Sequence, residues 1–205
     1  MFVLLFSLCT LLPAQYMARP GGAAPSSLPE AVRATLADAS VQVVSAKGDA
    51  AMQFWFRKDP PKKAPSGESG ATLADYAHGT FFGVVQVGEG VNDRRGDRIA
   101  PGLYALRLSA YPEDGAHQGV APQRDFFILT KAETDTDPNA TPGFLALMKL
   151  AQAASGRNHP MSLSCWKQES DFAAGVSKMG ESDIVLQVKV GDLPIGIIVI
   201  GKHEG

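Results

Sequence analysis

Residues 103–110 read Leu-Tyr-Ala-Leu-Arg-Leu-Ser-Ala, and the order divides them cleanly between two sides of an extended chain. Tyr104, Leu106, Leu108 and Ala110 fall on one side, and Leu103, Ala105, Arg107 and Ser109 on the other. Side chains of a strand point alternately to its two faces, so a period of two predicts a half-buried β-strand. A helix would repeat its apolar positions every three to four residues instead. The dipeptide Pro101-Gly102 just before the run predicts a type II turn, with Pro presetting one φ and Gly accepting a positive one.

Short runs of the same kind recur at residues 41–45, 52–56, 81–87, 126–129, 161–166, 184–190 and 195–200. Lys47-Gly48-Asp49 and Gly191-Asp192 lie between consecutive runs as hairpin turns. The run 195–200 has no polar alternation, which places it centrally, covered on both faces. Seven or eight short strands spaced by such turns predict a mainly β fold, an antiparallel β-sandwich with one or two short helices. Strands and helices do not alternate, which argues against a parallel α/β sheet.

Two helices are expected, one from about Leu28 to Ala37 and one between Thr141-Pro142 and Gly156. Ser27-Leu-Pro-Glu30 matches a capping box ahead of the first. In the second, Phe144, Leu147, Met148 and Ala151 share one face, Thr141-Pro142 opens it and Gly156 closes it.

Residues 2–12 are an apolar run too short to span a bilayer as a helix, but suited to the core of a secretory signal. Ala14 and Ala18 both offer a small residue for cleavage. The expected organisation is a signal peptide over 1–18, a flexible Pro/Gly/Ala-rich lead over 19–27, and a single β-sandwich domain over 28–205. The protein is then exported, periplasmic or extracellular, with no stable membrane span after cleavage. Cysteine use agrees: Cys9 lies in the signal, and Cys165 alone in the mature chain leaves no internal disulfide.

A formal net charge of −2, from 19 basic and 21 acidic residues, argues against a nucleic-acid binder. Residues 57–70 concentrate Arg57, Lys58, Lys62 and Lys63 among prolines and glycines, as a solvated loop or as a patch for an acidic partner. No nucleophile elbow, phosphate loop, dinucleotide fingerprint or compact metal motif is present. Two candidate binding residues stand out: Trp55, as an aromatic platform, and Arg107, as the charge on the polar side of the central strand. A candidate metal site combines His117 and His159, both in polar loops beside prolines, with Asp125 as the carboxylate.

The segments Phe-Trp-Phe-Arg-Lys (54–58), Gly-Thr-Phe-Phe-Gly-Val (79–84), Ile-Ala-Pro-Gly-Leu-Tyr-Ala-Leu-Arg (99–107), Asp-Phe-Phe-Ile-Leu (125–129) and Asn-His-Pro (158–160) carry a resemblance. In this order the chain resembles a group of uncharacterised exported bacterial proteins, over most of its mature length. The resemblance implies export and a bacterial origin, and carries no activity with it. The expected function is therefore a non-enzymatic binding or interaction module. The alternative is a small metal-dependent hydrolase or metal-binding protein that holds Zn²⁺ through His117 and His159.

Overall fold

The computed structural model describes residues 16–111 and 123–201. Ten strands and two helices follow one another along the chain. The strands are β1 (Tyr16–Gly21), β2 (Ser40–Ser45), β3 (Ala50–Phe56), β4 (Phe81–Val87), β5 (Gly102–Ala110), β6 (Asp125–Lys131), β7 (Ser162–Lys167), β8 (Gly175–Met179), β9 (Asp183–Val190) and β10 (Leu193–Ile200). Helix α1 (Glu30–Arg33) lies between β1 and β2, and α2 (Phe144–Ser155) between β6 and β7.

All pairings are antiparallel, and they form one row in the order β1-β2-β3-β4-β5-β6-β7-β10-β9-β8. The row curls until its ends, β1 and β8, lie beside each other without pairing. The molecule is mainly β, as expected, but it is a nearly closed, barrel-like sheet and not a two-sheet sandwich. Alternation along a strand states that one face is buried. Curling one sheet on itself and stacking two sheets both satisfy that pattern, so the pattern does not choose between them.

The inner face forms one continuous core. It takes Met52, Phe54 and Phe56 from β3, Tyr104, Leu106 and Leu108 from β5, Ile184, Leu186, Val188 and Val190 from β9, and Ile195, Ile197 and Val199 from β10. These are the inward residues that the alternation assigns to β5 and β9. In β4 the parity changes midway: Phe82 faces this core, as do Val85 and Val87, whereas Phe81 and Val84 face outward. A register shift between Phe81 and Gly83 makes the change. Gly83 has φ +155, and a Cβ there would sit 2.4 Å from the Trp55 carbonyl oxygen, so only glycine fits the bulge.

The outer face is covered over β3–β6. Leu28, Val32 and Leu36 pack on Trp55, Phe81, Val84, Ala105 and Ala132. Helix α2 lays Leu147 and Ala151 on Phe126 and Ile128, and ends at Gly156 in the left-handed conformation, φ 67. The other helix is shorter than the spacing predicts. It starts at Glu30 after Pro29, no side chain caps it, and Glu30 pairs with Arg33, so the capping box does not form. Nor does Pro101-Gly102 make a type II turn, since Gly102 is already the first residue of β5 and is not among the positive-φ glycines. The lead expected to be flexible over 19–27 is ordered at its start: residues 19–21 pair with β2, and the Ser40 amide donates to the Gly22 carbonyl at 3.2 Å.

Candidate functional site

Neither candidate binding residue is available to a ligand. Trp55 is 3% exposed within the outer apolar layer, and its indole N–H donates to the Gly22 carbonyl at 2.9 Å. A ring closed in by protein cannot serve as a platform. Arg107 is 1% exposed, because the segment after β6 and the residue 77–80 turn close over the polar side of β5. Its guanidinium pairs with both carboxylate oxygens of Asp135 and donates to the carbonyls of Gly79 (3.0 Å), Ala140 (2.5 Å) and Asp137 (2.7 Å). Thr130 donates its hydroxyl to the same carboxylate at 2.6 Å. The expected surface charge is thus the centre of a buried network that pins the 135–140 segment.

The proposed metal ligands are not assembled among the described residues. His117 lies outside them. Asp125 is 1% exposed and already occupied: its two oxygens accept from the Thr72 amide (2.6 Å), the Thr72 hydroxyl (2.8 Å) and the Leu73 amide (3.1 Å). His159 is exposed on the loop after α2. No cluster of three His, Cys, Asp or Glu side chains among the described residues is placed to hold a metal ion. Another histidine, His78, is half-buried, and burial holds its pKa below the ordinary value. Its Nδ1 lies 3.1 Å from the Ser109 hydroxyl, while Nε2 is buried with no partner among the described residues. Only about 10 Å³ of space adjoins it, roughly the minimum a single water occupies.

A larger space opens where the sheet fails to close. Between the end of β1 and the start of β8 lies a cavity of about 610 Å³, within the range of small-ligand sites. Its walls come from Ala18 and Pro20 of β1, the start of β2 and the end of β3, and from Gly175 and the second half of β9. Val41, Phe54, Phe56 and Val188 provide apolar surface. Ala37, Ala39, Ala174 and Gly191 have little or no side chain to fill the space. Gly191, at φ +61, also lets Pro60 pack directly on the β9–β10 turn, since a Cβ there would sit 2.3 Å from the proline ring.

Among the described residues, the charged side chains that line this cavity are all of one sign. Arg19, Arg57, Lys58 and Lys189 line it, and no Asp or Glu does. On a chain of net charge −2 this is a local inversion, and it makes the opening attractive to anions. Arg57 is the least solvated of the four. Burial lowers its pKa, nearby Asp59 opposes that, and the Arg107 charge adds to it. Its Nη1 reaches the Pro138 carbonyl at 3.3 Å, and its Nε is buried with no partner among the described residues. Lys58 and Lys189 are exposed, the latter lying 5.5 Å from the Phe172 ring. The basic stretch 57–70 was the one sequence signal pointing here. Arg19 and Lys189 join it only through the closing of the barrel, and nothing in the linear sequence connects them.

No protein-family model, curated protein or solved structure matches the chain.

Proposed function

We propose that the protein is an exported, non-enzymatic binding module whose ligand is an anion with an apolar part, held in the cavity between β1 and β8. One observation carries this reading: a cavity with apolar walls is lined by Arg19, Arg57, Lys58 and Lys189 and, among the described residues, by no carboxylate. Apolar surface supplies affinity by leaving water, at about 25 cal/mol per Å² buried. The cations select charge and speed encounter. Export is supported by the apolar run 2–12.

Anilinonaphthalene sulfonate, an aromatic anion whose fluorescence rises in apolar surroundings, tests the reading. Saturable binding at one site is expected. Lys58→Glu combined with Lys189→Glu should weaken it by at least about tenfold, equivalent to 1.4 kcal/mol. Lys149→Glu, on the exposed side of α2, should leave it unchanged. Binding insensitive to the double reversal would refute the site.

A further inference from the structure

We infer that the natural occupant of this cavity is an extended peptide segment of alternating acidic and apolar residues, which adds as a strand to the free edge of β1. This deepens the anion-binding reading and rests on it.

The first observation is the incomplete ladder. Nine antiparallel pairings join the ten strands, and a closed barrel would need a tenth, between β1 and β8. Each of these two strands therefore has a partner on one side only, among the described residues. A strand edge left in this state carries a row of N–H and C=O groups ready to pair with another chain. Strand addition is one of the recurrent ways in which proteins bind extended peptides. β1 spans six residues, Tyr16–Gly21, with β8 lying beside it, and its Ala18, Arg19 and Pro20 form part of the cavity wall, which is the stretch open to an added strand.

The second observation is that the two faces at the opening differ in kind. Tyr16 and Ala18 pack on the inner core, which continues through Phe54, Phe56 and Val188. Met17 and Arg19 alternate with them and are exposed, with the Arg19 guanidinium 3.6 Å from the Met17 sulfur. Across the opening, Val188 is buried while its neighbour Lys189 is exposed. A strand lying here meets apolar surface on one face and cations on the other. Because its own side chains alternate, an alternating acidic and apolar sequence satisfies both faces at once. A compact small anion would engage the cations but leave the backbone edge unpaired.

Acetylated and amidated hexapeptides, with Asp alternating with Val, Leu or Phe, provide the probe for isothermal titration. One-to-one binding is expected for at least one of them, weakened about tenfold or more by Arg19→Glu with Lys189→Glu. Two forms of the binding peptide are then compared, with backbone methyl groups on the amides of either the acidic or the apolar residues. Only alternate amides of an added strand face β1, so one form should bind at least about tenfold more weakly and the other should bind nearly as well. Equal binding by both forms, or no peptide binding while anilinonaphthalene sulfonate still binds, overturns strand addition and leaves the anion site standing. Failure of both probes overturns the two readings together.

Discussion

Removing the Arg107 side chain should be among the most damaging single changes in this protein, although the sequence places it on the polar side of a strand. Arg107→Ala deletes the partner of Asp135, whose side chain is 5% exposed, and also frees three carbonyl acceptors. Breaking a buried ion pair by removing one member costs about 3–5 kcal/mol, because the remaining charge stays behind uncompensated. The carbonyls of Gly79, Ala140 and Asp137 lose charge-assisted bonds as well, but water admitted to the vacated space recovers part of that loss. The expected total is about 4 kcal/mol. In urea, with a slope of about 2 kcal/mol per molar, the midpoint should fall by about 2 M at unchanged slope. Arg98→Ala is the control, since Arg98 and Glu89 form an exposed pair and such pairs contribute about 0–1 kcal/mol. The double variant Arg107→Met with Asp135→Leu removes both charges and should recover much of the loss. The reasoning fails if Arg107→Ala shifts the midpoint no further than Arg98→Ala, or if the double variant is no more stable than Arg107→Ala.

Leu106→Ala and Leu186→Ala each empty a fully buried position on the inner face, and should each cost about 2–5 kcal/mol in the same denaturation assay. Gly83→Ala must move the backbone of the neighbouring strand and should lower the melting temperature clearly, whereas Gly22→Ala, with nothing within 4 Å, should not. Burial disfavours the charged form of His78, so stability should be full above the ordinary histidine pKa of about 6.5. As pH falls through that value the unfolded chain takes up the proton first and stability declines; thermal melts from about pH 7.5 to about pH 5 should show a shallower decline in His78→Gln. If the chain is exported as proposed, cleavage should leave an N-terminus at Gln15, following Ala14, because cleavage after Ala18 would divide β1 and remove Tyr16 and Ala18 from the core; intact mass of the mature protein decides between the two.

Much of the fold was legible because it depends on local alternation. The inward set of β5 and that of β9 follow from counting in twos, and α2 ends where Gly156 permits a left-handed residue. The two strands that went unread are β1 and β8, which are the edges of the sheet. Their sequences, Tyr-Met-Ala-Arg-Pro-Gly and Gly-Val-Ser-Lys-Met, carry charge, proline and glycine because an edge is half solvated and needs fewer ladder bonds. The cavity lies between those same edges, so missing the strands meant missing the site. The burial of Arg107 was illegible for another reason. It depends on Asp135 and on the 137–140 carbonyls, some thirty residues away, folding back over β5. Period-two reasoning separates one face of a sheet from the other, but it does not reveal what later covers the polar one.

The order of the row governs how the molecule can form during synthesis. Strands β1 to β7 pair with successive neighbours, so each can join as it emerges. The next strand made, β8, belongs at the far end of the row, and β10 is the one that docks on β7. Until residues 193–200 exist, β7 presents an open edge and the inner core is exposed along it. The β8–β10 segment therefore joins as a unit, after seven strands have waited for it. Non-local docking of this kind is slow relative to hairpin formation. The chain carries an optical reporter of the event: the Trp166 ring of β7 packs where a side chain on Gly196 of β10 would otherwise sit, at 2.5 Å. Trp55 sits in the early part of the row, sealed beneath residues 28–36. Refolding followed with each tryptophan retained alone should separate the growth of the row from the step that closes it.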